Sequence, residues 1–244
     1  ILRTHPRSRR FGIRSSLRRT LPEEGFFERP GAMAKRSGPV VLDHPLIQHQ
    51  LTILRNRRTA GDAFRAAMKR ISTLIAAEVT RDVKLSRTPV VTPLAKTRGY
   101  SVSETVAVIP VLRAGLGMVE GFLSVLPDAR VGHVGLYRNE ETLEPVEYYT
   151  KFPRGLQKSL VLLLDPMLAT GGSSDAAITF LKGRGARRIR LVTVVAAPEG
   201  AGRVARAHPD VTVYTASLDR KLNAAGYIVP GLGDAGDRLF GTTP

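Results

Sequence analysis

The sequence predicts an α/β protein with a parallel sheet and helices on its flanks. Apolar runs of strand length recur at residues 106–112, 131–137, 160–164, 189–196 and 211–216. Helical or polar segments separate them, and that alternation implies right-handed crossovers between parallel strands. The chain has 244 residues and is 43% hydrophobic, enough for one large domain with its own core.

Taken in order, residues 55–83 read as a helical stretch, because Phe64, Met68, Ile71, Leu74, Ile75 and Val79 recur at helical spacing. VAVIPVL at 106–112 reads as a buried strand. VGHVGLY at 131–137 reads as another, followed by the polar loop RNEETLEP. Leu160 to Leu164 are five apolar residues, long enough for a strand buried on both faces. A small-residue turn follows, and then AAITFLKGRG reads as a helix closed by Gly183 and Gly185. Residues 189–196 form a strand, 199–207 a short helix and 211–216 a further strand. Residues 33–244 read as a single domain without an internal repeat.

Composition excludes several classes. No stretch approaches the ~20 apolar residues of a membrane span, so no membrane association is expected. There is no cysteine, which rules out disulfides and thiolate metal sites and fits a cytoplasmic protein. The formal net charge is +16, which suits polyanionic small ligands or nucleic acid, or a solvated arginine-rich surface. The first 32 residues hold eight arginines against three acids and lack apolar periodicity. They are expected to be a disordered basic extension ahead of a native start at Met33, with a transit peptide or a nucleic-acid-binding arm as the alternatives.

The chemistry concentrates at LVLLLDPMLATGGSS, residues 160–174. A strand, a small-residue turn and a helix N-terminus aim free N–H groups and the positive end of a helix dipole at one spot. Thr170 and Ser173 add hydroxyl donors, while Gly171 and Gly172 let the backbone approach an anion. No Gly-Lys-Ser/Thr is present, so this is not the nucleoside-triphosphate loop. Asp165, five residues before the turn, suits the diol of a phosphorylated ribose whose 5-phosphate lies in the turn. The competing reading is a tight βα turn with Asp165 as a cap.

Arg113 and Arg138 both follow strand ends, where ligands of parallel sheets bind, and arginine matches the paired oxygens of a diphosphate. The C-terminal run GYIVPGLGDAGDRLFGT contains a literal G-x-G-x-x-G at Gly231, Gly233 and Gly236. Pro230, Asp234 and the short remaining chain exclude a dinucleotide site. Such a turn can instead present backbone polar groups to a flat ring.

These segments carry a resemblance. HPL at 44–46, PVLRAGLGM at 110–118, YRNEETLEPV at 137–146, DPMLATGGS at 165–173, AAPEG at 196–200 and GYIVPGLGDAGDRLFGT at 226–242 closely resemble bacterial uracil phosphoribosyltransferases, within the type I phosphoribosyltransferases. The resemblance runs from about residue 40 to the end. It implies the type I fold, with a small hood over the strand carboxyl ends. It implies conversion of uracil and 5-phospho-α-D-ribose 1-diphosphate (PRPP) to UMP and diphosphate, in pyrimidine salvage.

It further implies that Arg113 and Arg138 bind the diphosphate side and that Asp165, Pro166, Met167, Leu168, Ala169, Thr170, Gly171, Gly172 and Ser173 hold the ribose 5-phosphate. Ile228, Gly233, Asp234 and Ala235 would read uracil, with Asp234 also near the phosphoribosyl substrate. The catalytic set would be Arg113, Arg138, Asp165 and Asp234. Mg²⁺ would accompany the diphosphate, held by substrate oxygens and water rather than by a protein cage. The loop from Asn139 to Pro145 would cover the site. Family members are often dimers or larger and some are activated by GTP, so a homo-oligomer and a GTP effector are carried as expectations.

Pro166 stands where many type I relatives carry a second acid, as it does in the uracil enzymes. Asp175 falls in the first turn of the phosphate helix, where an acid suits the dipole but lies near the anion. Two rivals differ in class. One is a pyrimidine-responsive RNA-binding regulator on the same fold. The other is a transferase for orotate, whose carboxylate would want a cation: residues 226–236 hold no Lys or Arg, and Arg238 is close by.

Overall fold

A computed structural model describes residues 38–138 and 145–242. The basic extension at residues 1–32 and the start expected at Met33 lie outside the described residues. The chain opens with β1 (Val40–Val41), α1 (Pro45–Arg55) and α2 (Gly61–Val79), then the hairpin β2 (Leu85–Val91) and β3 (Lys96–Val102). Next come β4 (Val106–Leu112), α3 (Leu116–Leu123), β5 (Arg130–Val131), β6 (His133–Arg138) and β7 (Pro145–Lys151). After a single 3₁₀ turn follow β8 (Leu160–Leu164), β9 (Met167–Leu168), α4 (Gly172–Gly183), β10 (Arg188–Ala196), α5 (Pro198–Ala207) and β11 (Thr212–Leu218). The short pair β12 (Lys221–Leu222) and β13 (Ile228–Val229) precedes α6 (Ala235–Phe240).

The main sheet runs β1-β11-β10-β8-β4-β6-β7, with β5 beside β4 and β9 beside β10. Its pairs are parallel apart from β6–β7, which is antiparallel. The expectation of a parallel sheet therefore holds for all but one edge. β12–β13 pair separately and carry the C-terminal loop, in the place of the expected hood.

Alternation along the strands builds two cores. Val106, Val108, Leu160, Leu162, Leu164, Val192 and Val194 face α1, α2 and α3, meeting Ile47, Leu54, Phe64, Met68, Ile71, Met118 and Phe122. Ala107, Ile109, Val161, Leu163 and Leu191 face α4 and α5, meeting Ile178, Leu181 and Val204. Each large side chain so buried contributes roughly 1.5–3 kcal/mol. Strands apolar on both faces thus hold the layers together, and their carboxyl ends are placed in one row.

Three expectations shift. The helical stretch expected at 55–83 narrows to α2, Gly61–Val79, and a helix that was not expected, α1, lies ahead of it. Pro45 starts α1, with His44 Nδ1 accepting the Leu46 N–H at 3.2 Å, and the chain turns at Asn56 before α2 begins at Gly61. The strand at 131–137 is broken at Gly132, where a Cβ would stand 2.7 Å from both Lys151 O and Pro153 Cδ. Gly183 is the last helical residue of α4, and the left-handed closure falls at Gly185, φ +87°.

Candidate functional site

β4 and β8 lie side by side, with Pro110 opposite Leu164, so Arg113 and Asp165 emerge from neighbouring strand ends. Between them lies a cavity of about 220 Å³. It is lined by Val111 to Ala114 and by Asp165, Met167 and Ala169 to Ser174.

The Arg113 turn depends on a missing side chain. Gly115 donates its N–H to Val111 O at 2.9 Å, and a Cβ there would collide with Leu164 O and lie 2.7 Å from Val111 N and O. The Arg113 guanidinium is exposed. It reaches the C-terminal helix, with Nη2 3.3 Å from Asp237 Oδ1 and Nη1 3.3 Å from Thr242 Oγ1. Thr242 Oγ1 also donates to Asp237 Oδ1 at 2.7 Å, which fixes that carboxylate as the acceptor for both. Sequence reasoning passed over Asp237 and Thr242; the available signal was the D-x-x-D spacing at a helix start.

Asp165 closes β8 at the cavity wall. Burial pushes its carboxyl up to about 6, against the pull of the Met167 N–H at 3.4 Å and the Ser174 hydroxyl at 3.1 Å. Ser174, itself buried, is a second partner the sequence reading did not single out.

Beyond Asp165 the chain rejoins the sheet before it turns. Pro166 O accepts from Val194 N and Val195 N at 3.1 Å, and Met167–Leu168 pair with β10 as β9. Met167 reaches the cavity, whereas Pro166 and Leu168 are buried and do not line it. The anion turn proper is Ala169 to Ser173. Gly171 takes φ +80° as the N-cap of α4, a conformation that favours glycine. Thr170 and Ser173 are exposed, with hydroxyls free to face a ligand.

The C-terminal loop meets the Arg113 turn. Gly236 stands 3.9 Å, measured from where its Cβ would be, from both Arg113 Nη2 and Ala114 Cβ. Asp234 caps α6, its Oδ1 accepting the Asp237 N–H at 2.9 Å. Gly233, φ +78°, and Asp234 are exposed, while Ile228 and Ala235 are buried beneath them.

Three residues that sequence reasoning did not assign hold this loop. Asp219 accepts the Gly231 N–H at 2.8 Å, and Arg55 donates to Gly231 O at 2.9 Å. Arg238 donates to the carbonyls of Leu54, Leu232 and Asn56, the last two at 2.7 Å, and lies 4.2 Å over the Phe64 ring. It is committed to the fold rather than offered to a ligand.

Arg138 ends β6, its backbone opposite Pro145. Its side chain, and residues 139–144 of the expected covering loop, lie outside the described residues. Among the described residues no three His, Asp or Glu side chains converge into a metal site, and no helix is long and apolar enough to cross a membrane. Among the described residues no histidine lines the cavity.

A family model described as uracil phosphoribosyltransferase matches residues 41–242. A uracil phosphoribosyltransferase of Finegoldia magna is 60% identical over 203 residues, covering 83% of this chain and 97% of that one. One from Alkaliphilus oremlandii is 54% identical over the same shares. Among solved structures, a protein from Aquifex aeolicus matches with a TM-score of 0.79 at 38% identity, covering 84% of this chain and 98% of its own.

Proposed function

The chain belongs to the uracil phosphoribosyltransferase family, and from that premise we infer that it converts uracil and PRPP to UMP and diphosphate. One observation supports the assignment of roles. The Arg113 turn and the Asp165–Ser173 segment line one cavity at the strand carboxyl ends, and Gly236 of the C-terminal loop packs beside Arg113.

In this reading the Ala169–Ser173 turn binds the 5-phosphate through N–H groups and the α4 dipole. Asp165 accepts from the ribose hydroxyls. Arg113 and Arg138 hold the diphosphate by charge-assisted bonds. Ile228, Gly233, Asp234 and Ala235 read uracil, largely through backbone groups. The C1–oxygen bond breaks with its electron pair going to diphosphate, uracil N1 takes its place on the anomeric carbon, and the N1 proton passes to the departing diphosphate or to water. Arginine stabilises the charge on the departing group, and exclusion of water protects the cationic carbon from hydrolysis. With no histidine at the cavity, catalysis is positional and electrostatic rather than base-driven.

Mg²⁺ bound to the substrate's diphosphate oxygens and water would neutralise leaving-group charge. A homo-oligomer, a cytoplasmic setting and activation by GTP complete the proposal. Apolar side chains left exposed on the β2–β3 hairpin, Val91 and Leu94 above all, support the first.

The test is UMP formation from uracil and PRPP, with and without Mg²⁺ and GTP, with cytosine and orotate as control bases. Turnover confined to uracil and dependent on Mg²⁺ is expected. Turnover with orotate, or none with any base despite PRPP binding, would overturn the assignment.

A further inference from the structure

We propose that Arg203, on α5 and outside the phosphate turn, is a direct cationic contact for the 5-phosphate of the substrate. The proposal rests on reading Ala169–Ser173 as the phosphate cradle. It also accounts for Asp175, an acid standing beside the anion site.

Helix α5 lies against the turn with no side chain between them. A Cβ on Gly200 would collide with Ala169 O and stand 3.0 Å from Leu168 O; one on Gly171 would stand 3.0 Å from Gly200 O. Arg203 follows Gly200 by three residues, so it projects from the same face of α5, towards the turn. Its Nη1 lies 3.6 Å from the point where a Gly172 Cβ would stand, and Thr170 Oγ1 lies 3.8 Å from that same point. A guanidinium and a hydroxyl therefore flank one spot at the N-terminus of α4.

The side chain is held there by one edge. Arg203 Nε donates to Asp175 Oδ2 at 2.9 Å. Asp175 is fixed in turn by His208, whose Nε2 lies 3.0 Å from Oδ1, and Lys182 bridges His208 Nδ1 and Asp210 Oδ1 at 3.2 and 2.6 Å. Among the described residues no acceptor engages Arg203 Nη1 or Nη2, and the side chain is 46% exposed. Asp175 thus orients a cation and leaves the outer, two-nitrogen edge of the guanidinium for a second anion. A phosphate carries the paired oxygens that match that edge. The acid near the phosphate is not repulsive in effect, because the charge it brings close is the arginine's.

The experiment is calorimetric titration of the full chain with two probes, ribose 5-phosphate and inorganic diphosphate, plus steady-state kinetics. Arg203→Ala is expected to weaken ribose 5-phosphate by roughly tenfold, the size of one charge-assisted hydrogen bond, with diphosphate affinity and KM for uracil unchanged. Arg203→Lys should recover part of the loss, and Asp175→Asn, which frees the guanidinium to wander, should show an intermediate one. Unchanged ribose 5-phosphate affinity in Arg203→Ala, or an equal loss for both probes, would overturn the proposal. Thr170→Val separates the two layers. If it weakens ribose 5-phosphate while Arg203→Ala does not, only the Arg203 contact fails; if Thr170→Val has no effect, the cradle reading itself fails.

Discussion

Arg55 and Asp219 close a two-toothed ion pair, Nη1 to Oδ2 at 2.8 Å and Nη2 to Oδ1 at 2.6 Å, that fastens the end of α1 to the chain leading into the C-terminal loop. The same carboxylate takes the Ser217 hydroxyl at 2.7 Å and the Gly231 N–H at 2.8 Å. The same guanidinium reaches Gly231 O. Both polar backbone atoms of Gly231 are thus held from one side, and Leu232 O is held by Arg238, so the turn's backbone is fixed in place.

Asp219→Ala is therefore expected to cost about 3 kcal/mol, the low end for breaking a buried pair because Arg55 keeps some access to water. Thermal unfolding should show Tm lower by roughly 6–12 °C. KM for uracil should rise more than KM for PRPP. Burial raises the Asp219 carboxyl, but Arg55, Ser217 and the Gly231 N–H outweigh it and hold it below its ordinary 3.8. A lowered carboxyl contributes stability above its unfolded value and loses it as pH falls through the folded one. The gap between wild type and variant should close below pH 3.8.

How much of this was legible beforehand follows from which residues had to be apolar. β4 and β8 are buried on both faces, so VAVIPVL and LVLLL announce themselves by unbroken hydrophobicity, and their ends locate Arg113 and Asp165. The hairpin β2–β3 is exposed along nearly its whole length, so LSRTPVV and KTRGYSV carry no alternation to read. β7 is an edge strand of polar and aromatic residues whose pairing is decided across a loop. Helix α1 was not legible, because it is only 11 residues long and Gln50 occupies one of its buried positions. Within the site, the turn was legible because glycine and hydroxyl residues cluster there. Asp219, Arg238 and Arg203 were not, because each acts through a partner far away in sequence.

Asp165 yields a prediction with opposite signs for stability and binding. Its carboxyl stands at about 6 in the fold, against an ordinary 3.8. A raised value means stability is fully present below 3.8 and is lost as pH rises through 6, by roughly 3 kcal/mol in all. Asp165→Asn, which keeps the shape without the charge, should unfold at higher temperature than wild type near pH 8. It should also bind PRPP weakly, since an amide is a poorer acceptor for two ribose hydroxyls. In wild type, affinity for ribose should rise with pH through about 6, and the variant should lack that step. Ribose is the right probe because it has no phosphate to titrate in the same range. A Tm unchanged by the substitution near pH 8 would contradict the buried, costly carboxylate.

Arg113 tests the diphosphate side. Its side chain is 58% exposed and its bonds to Asp237 and Thr242 are long, so Arg113→Ala should leave Tm within about a degree or two of wild type. Turnover should behave differently. Losing charge-assisted bonds worth roughly 1.5–3 kcal/mol each predicts kcat/KM for PRPP lower by about ten- to a hundred-fold per bond lost. Asp237→Asn should have a smaller effect of the same kind, because it removes the anchor and keeps the arginine. Unchanged kinetics in Arg113→Ala would remove this residue from the site.

Arg238 decides between bases. A transferase for orotate needs a cation beside the ring to meet the carboxylate, and Arg238 is the arginine nearest to the Gly233–Ala235 turn in sequence. Its guanidinium is already spent on three backbone carbonyls, at Leu54, Asn56 and Leu232, and on the face of Phe64. Turning it toward a ligand would strip a partner from the partly buried carbonyls of Leu54 and Leu232, at about 1–3 kcal/mol each. No orotate carboxylate at a solvated loop returns that much. Arg238→Ala should accordingly lower Tm, by roughly 6–12 °C for a loss of about 3 kcal/mol. KM for uracil should rise, because Leu232 O is one of the points where the loop is tied. The ratio of uracil to orotate turnover should stay where it is in wild type, with orotate unused by both. Competition assays with the two bases check this directly, and loss of an orotate rate present in wild type would return Arg238 to the base pocket.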